Sequence, residues 1–201
     1  DFIFRLREFS QMELEFFTKP DEADRWYEYY KEFCLDWVKS LGIDAKNLRW
    51  HDHGEEERAH YAASSTDIQY RYPFGWKELY GIANRTNHDL TSHMKESSKD
   101  LSYFDEETKE RVTPYVIEPS VGVERLFMAV ILDAYDSEEV KGEKRIVLHL
   151  PNDLAPVKVA VLPLSKKPEL AKLSQTVFDE IAGEYNVEYD ETQSIGKRYR
   201  R

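Results

Sequence analysis

At 201 residues the chain can bury a sizeable core, as one large or two small domains. Charged residues make up 33% and the net charge is -11, which excludes a general polyanion-binding surface; a nucleic acid would have to be met locally, at a cluster such as Lys197, Arg198, Arg200 and Arg201. No run approaches the ~18 apolar residues of a membrane span, no charged-then-apolar leader precedes the first strand, and one cysteine, Cys34, rules out an internal disulfide and suits a reducing cytosol, so the chain reads as soluble and cytoplasmic.

From Phe2 to Phe16 the side chains alternate in character, which predicts a strand with two unlike faces. Phe2, Phe4, Leu6, Met12, Leu14 and Phe16 fall on a core face; Arg5, Arg7, Phe9, Gln11, Glu13 and Glu15 fall on the other. The second face sets cations, a ring and carboxylates in a row, with Phe9 and Glu13 roughly 13 Å apart at ~3.3 Å per residue. That order suits an extended ligand with an aromatic end, an anionic middle and a cationic tip. A solvated face whose charges pair across strands accounts for the same pattern equally well. Asp1 runs straight into this strand, and Arg200-Arg201 follow a strand and a helix start, so the chain is expected to be a segment of a longer protein.

Pro20 and Asp21 start an amphipathic helix that runs to Leu41 and ends at Gly42. Cys34 shares its apolar stripe with Trp26, Tyr30, Phe33, Trp37 and Leu41, which predicts a packed thiol rather than a nucleophile. Residues 47–65 hold His51, His53, His60 and the run Glu55-Glu56-Glu57; the histidine spacing matches no tight metal pattern, and a polar connection with an acidic face is expected. Asp67–Tyr72 and Trp76–Ala83 read as strands joined by a turn at Pro73-Phe74-Gly75. Thr91–Arg111 reads as helical turns and loop. Tyr115–Glu118 reads as a short strand broken by Pro119, and Gly122 opens an apolar helix, Val123–Tyr135.

A charged stretch (Glu138, Glu139, Lys141, Gly142, Glu143, Lys144) leads to a strand at Arg145–Leu150, and the prolines at 151 and 156 bound the best candidate for a domain boundary. Beyond it Val157–Leu162 is a strand, Glu169–Tyr185 a helix with Leu170, Leu173, Val177, Phe178 and Ile181 inward, and Val187–Tyr189 a strand. This is one βαβ unit, which needs a larger parallel sheet than two strands supply.

The segment Glu118-Pro119-Ser120-Val121-Gly122-Val123-Glu124-Arg125 carries a second signal. An arginine in the first turn of a helix faces the positive end of the macrodipole, an unfavourable place by ~0.3 to 1 kcal/mol, so something anionic should offset it. Phosphate would, at a helix start that already offers free N–H donors; so would a salt bridge to Glu124 or to a loop carboxylate.

Three runs, RLREFSQMELEFF from Arg5, GWKELYGIANRT from Gly75 and VIEPSVGVER from Val116, resemble motif 2, an intervening segment and motif 3 of class II aminoacyl-tRNA synthetases, narrowing to the homodimeric glycyl-tRNA synthetase family. APVKVAVLPL from Ala155 and SIGKRYRR from Ser194 are similar to that family's anticodon-binding domain. The resemblance covers nearly the whole chain. It implies an α/β chain: an α+β catalytic core with a class II antiparallel sheet and flanking helices over residues 1–150, then the first part of an α/β anticodon-binding domain over 151–201.

The resemblance also implies roles. Phe4, Arg5, Leu6, Arg7, Glu8, Phe9, Glu78, Leu79, Gly122, Val123, Glu124 and Arg125 would hold ATP, with Arg5 on phosphate, Phe9 stacked on adenine and Arg125 on the γ-phosphate side; Arg5 and Arg125 are the implied catalytic residues. Phe9, Ser10, Gln11, Met12, Glu13, Arg85, Glu118, Pro119, Ser120, Val121 and Gly122 would form the glycine site, with Glu13 on the ammonium and Gly122 leaving room at the wall. Implied with them are magnesium accompanying ATP, tRNA(Gly) as partner, a homodimer and no membrane. The family's Phe-Arg-Asn-Glu segment and its motif 1 lie upstream of the residues present here, so the resemblance implies that this segment alone is inactive. Two other readings compete: a non-catalytic, nucleic-acid-binding or accessory relative, and a ligase adenylating another small amino acid.

Overall fold

The computed structural model describes residues 2–54, 56–140 and 142–199. Asp1, Glu55, Lys141, Arg200 and Arg201 lie outside them, and with them the two ends of the chain, part of the acidic run and half of the basic cluster. The chain forms two compact units, Asp1–His149 and Leu150–Arg201.

In the first unit a 3-10 turn at Phe2–Phe4 precedes β1 (Gln11–Glu13), β2 (Phe16–Thr18), α1 (Ala23–Ser40), β3 (Leu48–Asp52), β4 (Ser64–Tyr72), β5 (Gly75–Asn84), α2 (His88–Ser97), the short strands β6 (Tyr103–Phe104) and β7 (Arg111–Val112), β8 (Tyr115–Gly122), α3 (Val123–Ala134), β9 (Tyr135–Val140) and β10 (Glu143–Leu148). The second unit holds β11 (Val159–Val161), α4 (Pro168–Ile181), β12 (Val187–Tyr189) and α5 (Ile195–Arg198). The main sheet runs β1-β8-β5-β4-β3, with β2 also on β8, and every pairing is antiparallel. The expected antiparallel sheet with flanking helices is therefore present.

One face of this sheet is the core. Thr66, Ile68, Tyr70 and Tyr72 alternate onto it from β4 and all are buried. Helix α1 brings Tyr27, whose hydroxyl lies 2.6 Å from Thr66 Oγ1; Thr66 spends its only proton on Asp52 Oδ1 at 2.6 Å, so Tyr27 is the donor. Helix α3 brings Asp133, which accepts from the Tyr70 hydroxyl at 3.0 Å, from Asn47 Nδ2 at 2.5 Å and from the Asp44 amide at 2.6 Å. Between them lie the fully buried Val38, Ile68, Leu79, Ile82, Ile117 and Val121, each worth about 1.5–3 kcal/mol of burial. Cys34 is buried here as a packed thiol, and burial pushes it up to about 11. Gly42, at φ +88°, supplies the left-handed residue that closes α1.

The first segment is not one continuous strand. Residues 5–10 join no ladder, Leu6 and Met12 are each 42% exposed, and of the expected core face only Phe4 is buried and Phe16 half-buried. The reason is position: β1 and β2 form the sheet edge, where Met12 and Leu14 stay largely exposed. The gap between β1 and β2 has a different cause. Glu13 faces Ser120 and Phe16 faces Ile117, so a single register spans the gap. Leu14 N donates to Pro119 O at 3.0 Å, but Pro119 has no N–H to return, and the ladder lapses at that one bond. Pro119 thus does not end β8, which continues to Gly122.

Other expectations are corrected too. The polar connection of residues 47–65 contains β3, whose Trp50 faces Ile68 across the ladder. Phe33 is half-exposed and stacks on Tyr29, because the buried positions of α1 are Ala23, Tyr27, Cys34 and Val38. Of the charged stretch after Asp136, Glu138 and Glu139 lie in β9 and Glu143 and Lys144 in β10, paired across one antiparallel hairpin. In the second unit β11 and β12 pair in parallel, as the βαβ reading requires, but Leu173 and Val177 of α4 are exposed, leaving Leu170, Phe178 and Ile181 as its half-buried face.

Candidate active site

The face of the sheet opposite α1 and α3 carries polar side chains in cross-strand order. Glu13 of β1, Ser120 of β8, Gly81 of β5 and Asp67 of β4 form one transverse row. Two clefts lie along β1, β2 and β8 and meet at this row.

The first, of about 410 Å³, is lined by Phe4, Arg5, Leu6, Phe9, Gln11, Glu78, Ser120, Gly122, Glu124 and Arg125, together with Ile3. It gathers two arginines, an exposed ring and two carboxylates. Arg125 sits in the first turn of α3 and its charge is met by Glu78, at 3.0 Å from Nη1. Its Nε donates to Phe4 O at 3.2 Å and its guanidinium lies 4.4 Å from the centre of the Phe4 ring. The partner is thus Glu78 of strand β5, neither a loop carboxylate nor the adjacent Glu124, which instead accepts the Ser10 amide at 3.0 and 3.1 Å. Of the residues predicted for ATP, Arg7, Glu8, Leu79 and Val123 do not line this cleft. Leu79 is 1% exposed because a register shift in the β4–β5 ladder turns it inward, so only its backbone faces outward.

The second cleft, of about 440 Å³, is lined by Glu13, Glu15, Phe17, Arg85, Asp89, Leu90, His93, Val116 and Glu118. Arg85 follows β5, where its amide donates to Val116 O at 2.9 Å. Its fork is held on one side by Asp89, at 2.7 and 3.0 Å, and it stacks 4.2 Å from the centre of the Tyr61 ring. The remaining nitrogen, Nη1, reaches Glu118 at 3.1 Å. Asp89, facing this guanidinium, is held below the usual carboxylate range. At the junction of the clefts Gln11 Nε2 donates to Ser120 Oγ at 2.6 Å.

Of the residues predicted for glycine, Glu13, Arg85 and Glu118 come together in the second cleft, and Phe9, Gln11, Ser120 and Gly122 line the first. Pro119 and Val121 do not reach either, because alternation along β8 sends both side chains into the core. Ser10 and Met12 line neither cleft. A Cβ on Gly122 would meet only the Arg125 side chain, at 3.8 to 4.0 Å, so the fold itself would accept one.

Three contributors have no role in the sequence reading. Asp89 lies in the first turn of α2 and meets Arg85 across the β5–α2 connection, a pairing that sequence spacing alone does not set. Glu15 shares the face of Glu13, a signal present in the alternation. Tyr61 comes from a loop and left no pattern. The three histidines do not share one site: His51 and His53 pack ring on ring at 5.4 Å but pair with separate carboxylates, Glu57 at 3.4 Å and Asp67 at 2.9 Å, and His60 packs on Tyr61 and His88. Among the described residues Asp136, Glu138 and His149 do lie close enough to share an ion, but Arg145 already pairs with Glu138 at 2.6 Å.

No protein-family model matches the chain. Over its full length it is 54% identical to a glycine–tRNA ligase of Caldanaerobacter subterraneus subsp. tengcongensis and 54% identical to one of Geobacillus kaustophilus, covering 43% and 44% of their lengths. It is likewise 51% identical to a glycine–tRNA ligase of Staphylococcus aureus. The chain therefore spans less than half the length of the curated relatives it matches. Among solved structures it is similar to Giardia lamblia prolyl-tRNA synthetase in complex with prolyl-adenylate, with a TM-score of 0.66 and 18% identity, over 99% of this chain and 39% of that one; this likeness concerns the fold.

Proposed function

The chain belongs to the glycine–tRNA ligase family, and we propose that the full-length protein attaches glycine to tRNA(Gly) through a glycyl-adenylate, with the two clefts as its ATP and glycine sites. The observation that carries this reading is their junction: where Glu13 faces Ser120, a cleft lined by Arg5, Arg125 and Phe9 meets one lined by Glu13, Glu118 and Arg85. Such a surface suits a ligand with an aromatic end, an anionic centre and an ammonium tip.

In the first step the glycine carboxylate attacks the α-phosphorus in line and pyrophosphate leaves. In the second, a hydroxyl of the terminal tRNA ribose attacks the glycyl carbonyl and AMP leaves. No side chain need act as nucleophile; Arg5 and Arg125 neutralise phosphate charge, and Glu13 and Glu118 fix the ammonium. Glu78 and Glu124 are oxygen donors of the kind magnesium takes, and with phosphate oxygens they would hold it. When bound there it would supply further neutralisation of phosphate charge. With the ammonium fixed, a side chain on the substrate's α-carbon must collide with the wall of the site, and exclusion by size suffices because no amino acid is smaller than glycine. The same reading makes the full-length protein a cytoplasmic homodimer, with residues 1–150 in its catalytic domain and 151–201 in its anticodon-binding domain. No helix among the described residues is long and apolar enough to cross a membrane.

Glu13→Gln and Glu118→Gln in the full-length protein test the assignment. Each removes one charge-assisted contact to the ammonium, and glycine KM should rise at least about tenfold while ATP KM stays within about twofold. An unchanged glycine KM in both variants would remove these residues from the ammonium site.

A further inference from the structure

The register of the sheet sets two carboxylates against each other beside the proposed ammonium site. Leu14 and Pro119 are a hydrogen-bonded pair, so the next pair along, Glu15 and Glu118, is of the non-hydrogen-bonded kind. In such pairs the Cα atoms stand about 4.5 Å apart and the side chains lean together on one face. Like charges directly opposite repel, so a proton held between the two carboxyl groups relieves the pair. One guanidinium faces this group of carboxylates. Glu13 of β1 adds a third carboxylate, and α2 contributes Asp89 and His93. Arg85 is that guanidinium: Asp89 takes two of its nitrogens and Glu118 the third at 3.1 Å, so its single charge is already divided between two carboxylates beside Glu15. Partial desolvation and the facing Glu118 push the Glu15 carboxyl up to about 7.

We propose that Glu15 is a further residue of the glycine site: its proton, shared with Glu118, occupies the place of a cation, and the substrate ammonium displaces it to solvent on binding. One proton leaves the pair as one ammonium arrives, so the charge of the cleft is conserved. The inference rests on the ammonium reading given above. It explains why three glutamates can share one corner of a sheet: at neutral pH, with no ammonium bound, they do not all ionise.

Linkage sets the sign. Below about pH 7 glycine must expel the proton, and above it the pair is already ionised, so glycine affinity should rise by up to about tenfold between pH 6 and pH 8. The test is calorimetric titration of the full-length protein with glycine, at several pH values and in buffers of different ionisation enthalpy, so that released protons are counted. Wild type should release most of a proton at pH 6 and almost none at pH 8.5. Glu15→Gln keeps a hydrogen-bond donor to Glu118 without a titratable proton; it should release none, bind glycine with a flat pH profile, and be up to about tenfold weaker than wild type at pH 8. His93 is unaltered in this variant, so pH dependence that survives Glu15→Gln would belong to His93 and overturn the inference. Glycine binding with no proton release in wild type would overturn it while leaving the proposed function standing, whatever the variant's own stability. No glycine binding at any pH would overturn both.

Discussion

Arg125 shows how one residue can be strained by its helix and stabilised by its neighbours. In the first turn of α3 its charge opposes the macrodipole by about 0.3–1 kcal/mol. Glu78 and the ring of Phe4 offset this, yet the Glu78 carboxylate is half-exposed, and such pairs contribute about 0–1 kcal/mol. The stability of the fold therefore gives little reason for an arginine here, whereas charge on a phosphate does. Arg125→Ala in the full-length protein should slow adenylate formation more than tenfold while costing only about 1 kcal/mol of stability. Arg125→Lys should not restore the rate, because an ammonium cannot both stack on Phe4 and fork toward a phosphate. Single-turnover adenylation measures this, and a wild-type rate in Arg125→Ala would leave only the salt bridge as its role.

At the scale of elements, α3 is tied down by Asp133, whose carboxylate takes three donors: Tyr70 of β4 and Asp44 and Asn47 of the α1–β3 connection. Asp133→Ala leaves all three without their acceptor and should destabilise the first unit by about 2–3 kcal/mol, read as a lower denaturant midpoint for the full-length protein; an unchanged midpoint would show that water replaces the carboxylate. The sequence made α1, α3, β4 and β5 legible because apolar spacing and the Pro73-Phe74 turn mark a segment without reference to its partners. The strands it hid depend on partners. Leu48–Asp52 looks polar, since half its residues face away from the core, and Tyr135–Val140 looks like a charged loop because its hairpin is largely exposed on both faces. Alternation put Glu13 and Glu15 together, as the second cleft has them, whereas Arg5 and Phe9 line the first cleft from a segment that joins no ladder. It could not show that Glu15 meets Glu118, which follows from register, nor that the missing N–H of Pro119 divides β1 from β2.

Over the whole molecule, a net charge of -11 leaves any nucleic-acid contact to local groups. One expected contributor is committed elsewhere: Arg198 is buried and donates through Nη1 to Pro163 O at 2.7 Å and to Asp190 O at 2.9 Å, holding α5 to the loops beside β11 and β12. Lys197 is exposed and remains a candidate. The central claim, that these clefts belong to an enzyme activating glycine, is tested most directly by ATP–pyrophosphate exchange with the full-length protein, comparing glycine with alanine. The account predicts exchange that depends on glycine and falls roughly a hundredfold or more with alanine, whose methyl group has no room once the ammonium is fixed. Exchange that proceeds equally well with alanine, or none with glycine, would contradict it.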